Sequence, residues 1–172
     1  MTAMIKWNKD GRGSVYSLKQ SFSFALNGIR ITIIGERNFR IHTCVMIYVV
    51  LFSLFYDFSP VEYAVIALTF ALVRGAEMMN TAIEEVINSE FEGYHIMAKK
   101  AKDIAAGAVF ICAVTAVIVG VILFWDIPTM LKIFWFFFHN PLLLLLLAAS
   151  GVVSVLFIMG KIRPFGKKDP RI

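Results

Sequence analysis

The stretch Arg74-Gly-Ala-Glu77-Met-Met-Asn80-Thr81-Ala-Ile-Glu84-Glu85-Val-Ile-Asn88 closes a long apolar run and turns polar on one side only. At about 100° per residue, steps of three, four and seven place Glu77, Asn80, Thr81, Glu84 and Asn88 on one face of a helix. About sixteen mostly apolar residues precede Glu77, which sets its carboxylate inside the boundary of a bilayer. A carboxylate at that depth is costly, so one that is kept faces a bundle interior, a partner or a water-filled site. Arg74 lies one turn before Glu77 and is placed to pair with it, which would make Glu77 a poorer proton acceptor.

The whole chain agrees with a membrane setting. Of its 172 residues 59% are hydrophobic, against about 45–50% in a soluble domain, and the mean hydropathy is +0.74. So short a polytopic chain cannot enclose a large aqueous site, which leaves a site on its flank or one shared between protomers. Cys44 and Cys112 sit in separate apolar runs, without metal or disulfide spacing, and are expected to be packing or lipid-facing residues. The first forty residues lack the apolar core of a cleavable signal peptide.

In chain order, residues 1–13 are polar, basic and glycine-punctuated and are expected as a mobile lead-in. From 14 to 34 apolar residues recur at three and four between Lys19, Asn27 and Arg30, the pattern of a helix lying in the membrane surface. Residues 36–42 carry charges ahead of an apolar run, with Arg37 and Arg40 placed to meet lipid phosphates. A first span is expected at 41–58, and Ser59-Pro60 starts a second that runs into the Glu77 stripe. Gly93 breaks the loop that follows. Residues 98–103 lead into a third span ending near Trp125-Asp126, and the aromatic cluster 134–138 reads as an interfacial belt. Residues 141–159 are nineteen without a charge, enough for a fourth span, and a basic tail follows.

Basic residues set the orientation. Seven precede the first span, none separates the first two, three lie between Asn88 and Asp103, one precedes the fourth span and five follow it. The positive-inside rule therefore places both termini and the Gly93 loop in the cytoplasm, where ATP is available.

Three motifs stand on that side: Glu36-Arg-Asn-Phe39-Arg40-Ile-His42, Glu77-Met-Met-Asn80-Thr-Ala-Ile-Glu84, and Ala101-Lys102-Asp103-Ile-Ala-Ala-Gly107-Ala-Val. Together, and in this order, they resemble the small bacterial integral-membrane diacylglycerol kinases, a family that includes the undecaprenol kinases of Gram-positive bacteria. The likeness covers about residues 14–126. It implies an all-α membrane domain in the bacterial cytoplasmic membrane, working as a homotrimer with sites at protomer boundaries. By resemblance, Glu36 and Glu84 hold Mg2+, Glu77 is the base with Asn80 beside it, and Gly93, Tyr94, His95, Lys102 and Asp103 serve ATP. Arg40, Arg74 and Asn88 are carried as substrate-side or modulating positions. Asn88 departs from the aspartate common in the family, which removes one negative charge from the stripe.

The chemistry is consistent with those residue types. Phosphoryl transfer needs a metal to neutralise polyphosphate, a cation near the phosphates and a group to accept the hydroxyl proton. Magnesium is a hard ion that takes carboxylate oxygens. No Walker loop or soluble-kinase signature is present. The organisation expected is a lead-in at 1–13, a kinase-like membrane domain at 14–126, and an appended fourth span with its tail at 127–172. By resemblance, the Glu36-Arg-Asn-Phe39 motif points to undecaprenol as the expected acceptor with diacylglycerol next, and no nucleic-acid partner is expected. The rival from another class is a degenerate, non-catalytic membrane scaffold. A small transporter would need broken helices or an internal repeat, and neither is seen. Because every residue assigned to chemistry precedes 127, the last segment is expected to be dispensable for phosphoryl transfer.

Overall fold

The computed structural model describes residues 5–7, 13–15, 17–91 and 93–162. The basic tail from 163 lies outside the described residues, as does much of the lead-in. Within the lead-in, strands β1 (Ile5–Trp7) and β2 (Gly13–Val15) pair antiparallel with Ile5 opposite Val15, regular structure that was not expected there. From residue 18 the described architecture is helical.

Helix α1 (Leu18–Gly35) starts at a capping box in which Ser17 and Gln20 bond each other's backbone N–H. It exposes Leu18, Phe22, Phe24 and Leu26 and packs against the two helices that follow it in the chain. The chain breaks at Glu36, which is extended (φ −99°, ψ 120°) and sits between α1 and α2 (Arg37–Ser53). Helix α2 ends earlier than the span expected at 41–58, because Ser53 bonds back to the Val50 carbonyl and the next residues tighten into i to i+3 turns. Seventeen residues rise about 25 Å, so those turns through Tyr56 are needed to approach a hydrocarbon core of about 30 Å.

Helix α3 (Pro60–Glu90) starts where its sequence signals place it, with Ser59 and Glu62 forming a capping box around Pro60. It runs unbroken through the polar stripe. Gly93 then takes φ +81°, a left-handed conformation that glycine adopts without strain, and turns the chain into α4 (Ile96–Phe124). Helices α3 and α4 pack along one another, and α2 packs on α3. At the far end Tyr56, Phe58, Tyr63 and Phe124 form one aromatic cluster, and the Tyr56 hydroxyl donates to the Phe124 carbonyl at 3.0 Å.

Asp126 caps α5 (Ile127–Phe138), whose twelve residues include the aromatic belt. At about 18 Å it is too short to cross a bilayer. Its Phe136 and Phe137 meet Phe52 and Phe55 at the end of α2. Helix α6 (Pro141–Ile158) returns antiparallel to α2, with the Tyr48 hydroxyl 3.0 Å from Ser150 Oγ and 3.1 Å from Ser154 Oγ. The segment from 127 is therefore fastened to the helix that carries the first motif. Among the described residues, α4 and α6 are long and apolar enough to cross a membrane. In α3, Arg74 and Glu77 interrupt the apolar run.

Candidate functional site

The start of α2, the end of α3 and the start of α4 lie at one end of the bundle, and this is where the three motifs meet. Glu36 occupies the α1–α2 break. Its backbone is used by both helices: its N–H donates to the Thr32 carbonyl and its carbonyl accepts from Arg40 N–H, while its carboxylate makes no capping bond. The side chain is half-buried, and burial raises its pKa above the ordinary 4.5; repulsion from Glu84 and Glu85 pushes the same way, while Arg40 opposes it. Three carboxylates thus share one region, one from the α1–α2 break and two from the end of α3.

Along α3 the stripe grades from buried to exposed. Glu77 is 2% exposed and Thr81 is buried beside it, its hydroxyl donating back to the Glu77 carbonyl at 3.0 Å. Asn80 Nδ2 donates to Glu84 Oε1 at 2.7 Å, which fixes the carboxylate and leaves its second oxygen to other partners. Among the described residues, Glu77 Oε1 and Asn80 Oδ1 are buried acceptors with no hydrogen bond. Buried acceptors normally have a donor; Glu77 Oε1 faces the His42 ring, which leaves Asn80 Oδ1 as the acceptor open to a ligand hydroxyl or water.

His42, on the facing turn of α2, brings Nε2 to 3.4 Å from Glu77 Oε1. Sequence reasoning placed His42 in a motif without giving it a role, because its partner is on another helix. Arg74 does not take that place. Its guanidinium lies 4.4 Å from the centre of the Phe39 ring and 3.5 Å from Met46 Sδ, so the expected pairing with Glu77 is replaced by a cation held over an aromatic face. The expectation for Arg40 is corrected too. Instead of reaching out to lipid phosphates, its guanidinium donates to the carbonyls of Ile33 and Ile34 at 3.1 and 2.9 Å and to that of Ile158 at 3.2 Å. A cation is favoured there because α1 and α6 both end at it.

Of the residues expected to serve ATP, all but Asp103 gather around the Gly93 turn. A cleft of about 350 Å3 is lined by Asn88, Phe91, Gly93, Tyr94, His95 and Lys102, among others. Phe91 and His95 present rings 4.8 Å apart. Lys102 Nζ donates to Asn88 Oδ1 at 2.6 Å, so the amide that replaces the usual aspartate still holds this lysine. Asp103 is exposed and is not brought to the cleft. Phe91 and Lys99 were missed from the sequence, although Lys99 stands one turn before Lys102 and so shares its face. An aromatic pair beside two lysines suits a base and a polyphosphate.

A divalent cation fits the carboxylates at the α1–α2 break in kind. Glu36 and Glu84 offer hard oxygens that repel one another, and a cation between them would relieve that repulsion. Among the described residues no group of three or more His, Cys, Asp or Glu is arranged to hold a metal. Magnesium accepts such a sparse set, taking one or two carboxylates and completing its shell with water and phosphate oxygens.

Comparison with known proteins gives the family. The profile of the family described as prokaryotic diacylglycerol kinase matches residues 23–124. A diacylglycerol kinase from Synechocystis is 42% identical over 105 residues, 60% of this chain and 60% of that protein. The matched stretch thus spans less than two thirds of that relative's length. An undecaprenol kinase from Bacillus subtilis is 35% identical over 117 residues, 68% of this chain and 95% of that protein. A diacylglycerol kinase from Escherichia coli is 29% identical over 103 residues. Helices α5 and α6 lie beyond the family profile, whereas Glu36, Glu77, Glu84 and the Gly93 cleft fall within it, and on that match the chain belongs to the prokaryotic diacylglycerol kinase family.

Proposed function

We propose that the protein is a lipid kinase that transfers the γ-phosphoryl group of ATP to the hydroxyl of a membrane lipid, undecaprenol or diacylglycerol, at the cytoplasmic surface. The observation that carries this is one continuous polar path along α3. It starts at the aromatic and basic cleft around Gly93, passes Glu84 and Asn80, and ends at the buried acceptor Glu77 Oε1.

In the transfer, the acceptor hydroxyl gives its proton to the Glu77 carboxylate as its oxygen bonds to the γ-phosphorus, and the bond to the ADP oxygen breaks with the electron pair leaving on ADP. Asn80 holds Glu84 in place and offers its own buried oxygen to the incoming hydroxyl or a bridging water. Lys102 and Lys99 place positive charge at the polyphosphate, while Phe91 and His95 flank the base. Glu36 and Glu84 would hold magnesium, which would supply charge neutralisation of the polyphosphate. Burial of Glu77 keeps bulk water from competing for the phosphoryl group.

The membrane arrangement in this proposal has α2, α3, α4 and α6 as four crossings, α1 on the surface and both termini cytoplasmic. It is supported by the basic-residue asymmetry and by the Arg40–Ile158 bond, which sets the end of α6 beside the start of α2. Assembly as a homotrimer rests on the family resemblance, and native mass spectrometry of the detergent-solubilised protein tests it.

The functional test is labelled-phosphate transfer from ATP to polyprenol and to diacylglycerol by purified protein in mixed micelles, with and without magnesium. Magnesium-dependent labelling of either lipid supports a kinase. Labelling of neither, by protein shown to be folded and assembled, leaves a scaffold.

A further inference from the structure

The last turn of α6 satisfies its own carbonyls with one exception. The Val155 carbonyl accepts from Met159 N–H at 2.9 Å, that of Leu156 from Lys161 at 3.0 Å and that of Phe157 from Gly160 at 2.9 Å. With Gly160 at φ +71°, this is a Schellman cap, whose left-handed residue is glycine or, less often, asparagine. The Ile158 carbonyl is left over, and it takes Arg40 Nε at 3.2 Å. Gly160 lies over the same guanidinium, since a Cβ added to it would stand 3.7 Å from Nη2.

The other side of the fork belongs to α1, where Nη1 donates to the carbonyls of Ile33 and Ile34. Among the described residues, the side-chain bonds of Arg40 thus all go to main-chain carbonyls and none to Glu36. That choice runs against the local sequence. Glu36 stands four residues before Arg40, the spacing and order at which a glutamate pairs best with a basic residue on a helix. The charge of Arg40 already acts on that carboxylate through space. A guanidinium can also engage a carboxylate through two parallel bonds, and the oxygens so engaged are lost to a metal. What holds the fork off Glu36 is therefore its third carbonyl, supplied by a helix 118 residues away.

We propose that docked α6 keeps Glu36 open to a divalent cation, by holding the Arg40 guanidinium on the Ile158 carbonyl and away from the carboxylate one turn before it. The inference rests on the assignment of Glu36 as a metal ligand and deepens it. Helix α6, which lies beyond the family profile, becomes a positioning element for the cation site, and Arg40 a positioning residue. When the end of α6 lets go, two carbonyls remain to compete with a carboxylate, the stronger acceptor because both partners are then charged. The Tyr48 hydroxyl between Ser150 and Ser154 is the second tie that keeps α6 seated. On this reading the segment from 127 is not dispensable for phosphoryl transfer at limiting magnesium.

The test is direct binding of Mn2+, which takes the same carboxylate and water ligands as magnesium. Full-length protein in detergent is titrated with Mn2+ alone, and the free ion is read by its electron paramagnetic resonance signal. Gly160→Val strains the left-handed position and loosens the cap, and it is expected to weaken Mn2+ binding about fivefold, equivalent to about 1 kcal/mol. The magnesium concentration for half-maximal phosphorylation should rise by the same factor, with kcat at saturating magnesium little altered. Gly160→Asn, which tolerates the left-handed conformation, should stay within about twofold of wild type. Changing Arg40 as well separates a released arginine from a lost brace, because the two differ in sign. Gly160→Val combined with Arg40→Gln should bind Mn2+ at least as tightly as wild type, since no guanidinium is left to compete.

If Gly160→Val does not assemble, Ser150→Ala with Ser154→Ala loosens α6 from Tyr48 instead, and should weaken Mn2+ binding in the same direction, again relieved by Arg40→Gln. Unchanged Mn2+ affinity in the α6 variants overturns the inference, and so does a combined variant that binds more weakly than its α6 parent. Glu36→Gln checks the assignment beneath it. If that variant also leaves Mn2+ binding unchanged, the metal assignment falls and the inference with it. If it weakens binding while the α6 variants do not, the inference alone falls.

Discussion

Arg40→Ala should weaken the protein far more than loss of an exposed arginine would. The guanidinium bonds three main-chain carbonyls, two at the end of α1 and one at the end of α6, which is 118 residues away in sequence. A hydrogen bond to a charged group contributes about 1.5–3 kcal/mol, and these three share one side chain and are not additive, so a net loss of about 2–4 kcal/mol is expected. At about 2–4 °C per kcal/mol for a chain of this size, the unfolding midpoint in detergent should fall by about 4–16 °C. Arg40→Lys should recover less than half of that, because an ammonium is a point donor and cannot span carbonyls from two helices. The assay is thermal unfolding followed by circular dichroism, with proteolysis of the α6 end as a second probe. A midpoint within about 1 °C of wild type for Arg40→Ala, with α6 equally protected, would refute a bracing role.

Glu36→Gln and Glu84→Gln should each raise the magnesium concentration needed for half-maximal rate, and an unchanged titration in both would remove them as ligands. Glu36 also carries a pH signature. Its folded-state pKa is raised above the ordinary 4.5, so its contribution to stability is complete below 4.5 and is lost as pH rises through the raised value. Glu36→Gln should therefore be more thermostable than wild type at neutral pH without magnesium, and equal or lower stability would contradict that sign. Arg74→Leu should leave the pH–rate profile in place, since Arg74 sits on Phe39 and not on Glu77, while lowering stability by about 1–2 kcal/mol through loss of the cation–π contact. A shifted acid limb would restore the pairing with Glu77. Lys102→Met should raise the KM for ATP with a smaller change in that for lipid; an unaltered ATP KM would take Lys102 out of the nucleotide site.

Local signals carried much of the fold. Ser59-Pro60 with Glu62 announced the start of α3, Gly93 its break, and Pro141 the start of α6, because capping and positive-φ turns depend on a few adjacent residues. The polar stripe was legible for the same reason: helical periodicity alone puts Glu77, Asn80 and Glu84 on one face. What escaped depended on contacts between helices. Arg40 reads as a surface anchor until α6 folds back and offers it the Ile158 carbonyl. Arg74 is three residues from Glu77 and invites pairing, yet packing of α2 on α3 sets it over Phe39 and gives Glu77 the His42 ring instead. The last segment looked separable because it carries no charged chemistry, and its attachment runs through aromatic edges and three hydroxyls that no spacing reveals. The strand pair at residues 5–7 and 13–15 is three residues a side, too short for the alternation of Ile5-Lys6-Trp7 to announce it.

The most direct test of the lipid-kinase claim is the initial rate of magnesium-dependent lipid phosphorylation by Glu77→Gln beside wild type, measured on protein of matched assembly and thermal midpoint. Glutamine keeps the size and hydrogen bonding of the side chain and removes its capacity to accept the hydroxyl proton. The expected result is a loss of about 10²–10⁴ in kcat with the KM for ATP little altered. Absence of magnesium-dependent labelling by folded, assembled wild type would contradict the lipid-kinase claim, and Glu77→Gln activity within about twofold of wild type would take the buried carboxylate out of the transfer.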